Sequence, residues 1–173
     1  MTLIGTWVKK MSLKHIQILS MNPHFFGKLM QSFLSGYGKP CEVRLYFMAL
    51  PILLYSESRQ KLVNATNRSK METLFNASQE LADNIRISGK VRLSGYLNRF
   101  EMLKELSKKS LIILYSKKKI VLKDNKITLL DSVKYSDYSD NVRDWFKAAH
   151  YLGLVFAKTN EDHLNYFLGV DRS

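Results

Sequence analysis

The side chains whose types could do chemistry are four histidines, one cysteine, an Asp-x-Lys triplet and a run of lysines. His15, His24, His150 and His163 lie far apart, and none has the H-E-x-x-H spacing that lets two imidazoles on one helix hold zinc beside a general base. Cys41 is the single cysteine, so an internal disulfide and a multi-thiolate metal centre are excluded; a lone thiol without a partner base reads as a small buried hydrophobe in a reducing compartment. Asp124-Asn125-Lys126 has the D-x-K spacing used by many metal-dependent nucleases. Such a site needs a second acid to share the cation, and positions 106 to 123 contain no Asp or Glu. The same triplet serves as a hairpin turn. There is no G-x-x-x-x-G-K-S/T run to cradle a nucleoside triphosphate and no G-x-S-x-G elbow to present a serine nucleophile. These residues argue for a chain that binds, with no cofactor, no metal and no catalytic centre of its own.

Lysine is the functional group in excess. The chain has 27 Lys or Arg against 15 Asp or Glu, a formal charge of +12, and the excess is concentrated. Residues 84 to 123 hold eleven basic and two acidic side chains, whereas 124 to 173 hold six basic and eight acidic. A field of that sign steers phosphate backbones or acidic protein surfaces toward the block. The candidate DNA contacts are Lys90, Arg92, Lys108, Lys109, Lys117, Lys118, Lys119, Lys123 and Lys126. A lysine-rich hairpin kept soluble by its charge accounts for many of the same residues, and both readings stay open at this point.

The elements that must carry these lysines follow from periodicity. Asn22-Pro23 is a helix start, with apolar residues from Phe25 to Leu34 at helical spacing and a stop at Gly36-Tyr37-Gly38. The apolar run Val43 to Tyr55 predicts a buried helix with Pro51 near a kink or boundary. A stripe from Met71 to Ile85 predicts a helix over about 68 to 85. Leu97, Phe100, Leu103 and Leu106 give an amphipathic helix over 94 to 106, and Ser107 is placed to cap a second helix from Lys108 to about Lys117. Ile120 to Lys123 and Lys126 to Leu130 flank Asp124-Asn125, two residues that tolerate left-handed dihedrals, so a β-hairpin follows. A long helix from near Tyr138 and a short one from Glu161 to Leu168 close the chain. The fold class is α+β, mostly helical: a winged helix-turn-helix-like domain with extra N- and C-terminal helices, spanning 21–173 after a basic, poorly ordered extension at 1–20. The chain has no apolar run of the roughly 18 to 20 residues that a membrane span needs, and Met1 to Ser20 lacks the charge-then-apolar order of a secretory signal. A cytoplasmic protein is expected.

M-N-P-H-F-F (Met21 to Phe26), Gly36-Tyr37, L-P-I-L-L (Leu50 to Leu54), Ser58-Arg59, Trp145-Phe146 and L-G-V (Leu168 to Val170) together resemble the middle component of bacterial three-component ABC systems, the group that includes Lamassu defence. The resemblance runs from Met21 to Val170 and rests on the order and spacing of these motifs. It implies a winged-helix accessory subunit acting beside an SMC-like ABC ATPase and a nuclease-type effector against phage or plasmid DNA, with double-stranded DNA backbone as a further partner. Leu50, Pro51, Leu54, Trp145 and Phe146 are then candidate partner contacts, although burial in the chain's own core accounts for most of those residues. The alternatives are a stand-alone winged-helix transcription regulator and, ranked lower, an antitoxin-like inhibitor of an acidic toxin.

Overall fold

Asn22 caps the first helix as its position predicts: its Oδ1 accepts the His24 N–H at 3.0 Å, and Pro23 occupies the first helical position, where a missing N–H costs nothing. The computed structural model describes residues 22–75, 79–80, 86–87 and 93–169. Helix α1 (Pro23–Tyr37) ends at Gly38, whose φ of 70° and N–H to Leu34 O (3.1 Å) form a left-handed cap. A two-residue strand, β1 (Cys41–Glu42), leads directly into α2 (Val43–Leu53).

Pro51 lies inside the last turn of α2, and the carbonyls at that end are served by two arginines brought from elsewhere. Arg99 Nε donates to Pro51 O and Arg59 Nη1 to Leu53 O, each at 3.0 Å, while Tyr96 OH donates to Met48 O at 3.0 Å. Cations at a helix C-terminus satisfy orphan carbonyls and oppose the macrodipole. Arg59 comes from α3 (Ser56–Val63), which follows α2 immediately.

The helix expected over 68 to 85 is much shorter. It is α4 (Met71–Phe75), after which β2 (Gln79–Glu80) pairs antiparallel with β3 (Arg86–Ile87). The rest of that predicted stripe lies outside the described residues, as does the whole 1–20 extension.

The two helices expected over 94 to 117 are one, α5 (Tyr96–Ser116). Ser107 does not start a helix; it is buried inside this one, and its carbonyl accepts the Ser110 hydroxyl at 2.7 Å. Ser110 Oγ in turn meets Tyr46 OH at 2.7 Å, so a small polar group at this position is a packing requirement of α2 against α5. Neither Gly nor Pro occurs between 96 and 116 to interrupt the helix. The predicted sequence of two helices and a hairpin is therefore one helix and a hairpin, and the turn of a helix-turn-helix does not fall at 107.

The hairpin itself is where the sequence places it. β4 (Ile120–Lys123) and β5 (Lys126–Leu129) are joined by Asp124 and Asn125 at φ 51° and 59°, the paired positive dihedrals of a type I′ turn. The sheet order is β1-β5-β4, with Cys41 opposite Ile127. After a 3-10 turn at Tyr135–Asp137 come α6 (Asp140–Lys158) and α7 (Glu161–Leu168).

Helices α1 and α6 form the centre of the fold. Phe33 meets Phe156 edge to face at 5.6 Å, Ser32 Oγ donates to Phe146 O at 2.8 Å, and Leu29, Ala149 and Leu152 are fully buried. The two backbones touch at their glycines: a Cβ on Gly36 would lie 1.8 Å from His150 O, and one on Gly153 2.0 Å from Phe33 O. Only glycine at both positions allows this approach. Val142, in the first turn of α6, is 43% exposed, and α6 meets α1 from Trp145 onward, where the Phe25 ring packs against it. The result is an α+β chain, mostly helical, with a three-stranded antiparallel sheet and a separate two-stranded one. No described helix is long and apolar enough to cross a membrane.

Candidate nucleic-acid interface

The hairpin is positioned by three anchors. Ile120 and Ile127 are buried beneath it, β1 pairs with β5, and Val43 N donates to Asn125 O at 3.1 Å, tying the turn to the start of α2. Its lysines are thereby held on a rigid support rather than a loop.

The connection from α5 to the hairpin contains the most informative backbone angle. Lys117 ends the helix, Lys118 takes the left-handed region at φ 54°, and Lys119 N bonds back to Leu114 O at 2.9 Å. Glycine usually fills the left-handed position of such a cap, because a Cβ there is strained by about 1 to 2 kcal/mol. Here that position carries a lysine.

The structure divides the predicted lysines among several faces. Lys117 and Lys119 line a cleft of about 570 Å³ between the start of α1 and the end of α5, together with Lys28 and Asp131. Lys119 is ion-paired to Asp131, and Lys28 stands 5.7 Å over the Tyr138 ring. Lys118, Lys123 and Lys126 are exposed at the root and tip of the hairpin. Along with Lys117 they form no ion pair among the described residues. Lys108 faces a different cleft, between α2 and α5, and Lys109 is exposed on α5. Lys90 and Arg92 lie outside the described residues. Lys117, Lys118, Lys123 and Lys126 are thus the lysines of the hairpin and its root that are exposed and have no ion pair among the described residues.

Of the proposed partner contacts, Leu50, Pro51 and Phe146 are buried in this chain's own core, and only Leu54 and Trp145 are half-exposed. Burial follows from the α1–α6 and α2–α5 packing that no single stripe reveals. Trp145 is covered on one face by Arg59, whose guanidinium lies 3.7 Å over the ring, and Arg99 sits 4.1 Å over Tyr55. Burial lowers the pKa of both arginines. Arg59 entered the sequence reading only within the Ser58-Arg59 motif, and Arg99 was given no role in it; for Arg59, its place just past a proline-containing apolar helix is the signal that points to this role.

The remaining reactive groups are dispersed. Cys41 is buried, its thiol pushed up to about 12 by desolvation and by Glu42. His150 is half-buried against Tyr135, which lies 5.2 Å away, and burial lowers its pKa. His24 is exposed, and His163 Nδ1 stands 3.8 Å from a Glu72 carboxylate oxygen. His15 lies outside the described residues. Asp124 is exposed at the hairpin tip, and among the described residues no three His, Cys, Asp or Glu side chains come together in a metal-holding group.

Comparison with known proteins gives one result of substance. The family model for the ABC-three component (ABC-3C) system Middle Component 3 matches residues 10–172, beginning inside the stretch that the sequence reading sets apart as an extension. No curated protein and no solved structure matches the chain. A match over nearly the full length leaves one assignment: the chain belongs to the Middle Component 3 family of ABC-three component systems, and so works with the partner components of such a system.

Proposed function

We propose that the chain is a non-catalytic adaptor of a defence complex directed at phage or plasmid DNA. In this reading it docks on an SMC-like ABC ATPase in the cytoplasm and helps couple DNA sensing to a nuclease effector. The observation that carries the DNA part is the hairpin, with three anchors below it and four lysines that have no ion-pair partner among the described residues. The lysine in the strained left-handed position supports it further, since retained strain is a pointer to function.

The element order supports a winged-helix ancestry with different helices from those first assigned. Helix α1, strand β1, helix α2, then α5 and the β4–β5 hairpin, with strands ordered β1-β5-β4, is a winged-helix order with α3 to β3 inserted between the second and third helices. The end of α5 that leads into the hairpin exposes Ile112 and Tyr115. An apolar side chain does not read base edges through hydrogen bonds, so DNA contact here falls to the hairpin lysines and is with the backbone, without strong sequence preference. This weighs against a stand-alone sequence-specific regulator.

Co-expression of the tagged chain with the other two components tests the reading. One complex containing all three, separated by size exclusion, is the expected result. A chain that elutes alone beside the assembled partners contradicts it.

A further inference from the structure

Of three clefts among the described residues, the one between the start of α1 and the end of α5 is the one whose charges do not cancel. Its lining holds Lys28, Lys117 and Lys119 against a single carboxylate, Asp131, which leaves two positive charges. At the α2–α5 cleft Arg44, Lys104 and Lys108 are offset by Glu161, Glu101 and Glu105, and beside α7 Lys39 and Lys126 are offset by Glu42 and Glu161. The walls of the cationic cleft are tied together. Gln31, a buried side chain of α1, donates from Nε2 to Asp131 O at 2.7 Å, and Val133 N donates to Ser35 Oγ at 3.0 Å, so the segment after β5 is fixed to α1 at two points. On the other side Gly27 lets α1 approach α5, since a Cβ there would stand 3.3 Å from the Ile113 side chain. Lys28 lies 5.7 Å over the ring of Tyr138, itself part of the lining, and Lys119 is ion-paired to Asp131. Both ammonium groups are thereby held at the cleft before any ligand arrives, which lowers the ordering cost of binding.

Charge and shape together select the ligand. One carboxylate would leave a positive charge unmatched, whereas a phosphomonoester carries a charge of about −2 near pH 7 and offers an acceptor oxygen to each lysine. Phe25, Ile113, Val133 and Tyr138 add a half-buried apolar wall, for which a DNA backbone has no use. The volume of about 570 Å³ falls in the range of small-molecule sites, roughly 300 to 1,000 Å³, which are mainly apolar with a few placed polar groups. We propose that the α1–α5 cleft binds a phosphorylated small molecule of nucleotide size. Lys28, Lys117 and Lys119 hold its phosphoryl group, and Phe25 and Tyr138 meet its body. Asp131 is the internal competitor, occupying Lys119 until phosphate displaces it. This site goes beyond the adaptor reading above and does not rest on it.

The test is calorimetric titration of the full-length chain with inorganic phosphate, adenosine monophosphate, adenosine and succinate. Inorganic phosphate should bind, adenosine monophosphate should bind more tightly because its body meets the apolar wall, and adenosine should not bind. Lys28→Ala should weaken nucleotide binding about tenfold, the worth of one charge-assisted contact, and Asp131→Asn should tighten it several-fold by freeing Lys119. A gain of binding cannot come from unfolding, and thermal melting checks the Lys28 variant. Lys118→Glu with Lys123→Glu should leave nucleotide binding unchanged, which separates the cleft from the hairpin. Lys117 belongs to both features and is left in place. Failure of the wild-type chain and of Asp131→Asn to bind either phosphate compound overturns the site. Succinate, a dianion without phosphorus, binding as tightly as phosphate overturns the phosphoryl assignment. Adenosine monophosphate binding no tighter than inorganic phosphate, or Lys28→Ala losing duplex DNA while keeping the nucleotide, assigns the cleft to another occupant and overturns the proposal.

Discussion

Gly153→Ala sets two effects of opposite sign against each other. In an exposed helix the change is favourable, because alanine exceeds glycine in helix propensity by about 1 kcal/mol. In this fold the new Cβ would stand 2.0 Å from Phe33 O and 2.7 Å from Tyr37 N, where ordinary contacts begin near 3.4 Å. The shortfall of about 1.4 Å is against backbone, so no rotamer relieves it. Helices α1 and α6 must separate along a crossing that packs Phe33, Leu152 and Phe156. Overpacking costs about 1 to 3 kcal/mol, and a backbone obstacle places this case at the upper end. Subtracting the propensity gain leaves a loss of about 2 kcal/mol, which lowers the melting temperature of a chain this size by roughly 4 to 8 °C. Gly27→Ala is the control, since its Cβ would stand 3.3 Å from the Ile113 side chain, which can yield, and at an ordinary 3.6 Å from Ser110 O. Its melting temperature should stay within about 2 °C of wild type or rise. Differential scanning calorimetry of the three proteins decides the matter. Gly153→Ala melting at or above wild type would refute the claim that the two backbones touch.

Three further outcomes follow from buried or strained groups. Ser110→Ala should destabilise the chain more than Tyr46→Phe in urea titrations, by about 1 to 3 kcal/mol against about 1 kcal/mol. The first leaves a buried Tyr46 hydroxyl without its partner, whereas the second leaves Ser110 still donating to Ser107 O; equal costs would contradict this network. Cys41 should resist thiol reagents in the native state, and its pKa near 12 also predicts a pH dependence. Below pH 9 both states keep the proton; above it the unfolded chain ionises first, so stability falls between pH 9 and 12 by up to about 1.4 kcal/mol per unit. Cys41→Ala should flatten that decline, and an unchanged slope would show that Cys41 is not the cause. Lys118→Gly should relieve the left-handed strain and stabilise the chain by up to about 1 kcal/mol while weakening DNA binding by the assembled complex. A gain in stability with no loss of DNA binding would remove Lys118 from the interface.

How much was legible in the sequence depended on whether local or tertiary forces decide each element. Asn22-Pro23 and Asp124-Asn125 satisfy backbone needs within a few residues, so α1 and the hairpin could be read directly. Ser107 could not, because a serine before lysines has the sequence signature of a cap, and only Ser110 packed against Tyr46 makes that stretch helix interior. The stripe from 68 to 85 failed for a related reason: a helical spacing of apolar residues does not record the antiparallel pairing of Gln79–Glu80 with Arg86–Ile87 that replaces the helix there. At the candidate interface, the lysine types and positions were visible, but their division among the hairpin and two clefts was not. That division comes from the helical phase of α5, in which Lys108 turns toward Phe100 and Lys117 toward Lys28. Leu50 and Phe146 stood as candidate partner contacts beside core burial because an apolar run has the same composition whether a partner or the chain itself covers it, and both are buried in the chain's own core.

The most direct measurement is the salt dependence of duplex DNA affinity for the assembled complex, wild type against Lys117→Glu/Lys118→Glu/Lys123→Glu. Each backbone-neutralising lysine contributes about 0.9 to the slope of log affinity against log salt. The triple variant should therefore assemble normally, bind DNA more weakly and lose about 2 to 3 from that slope. Unchanged affinity and slope would mean that the hairpin lysines do not meet DNA.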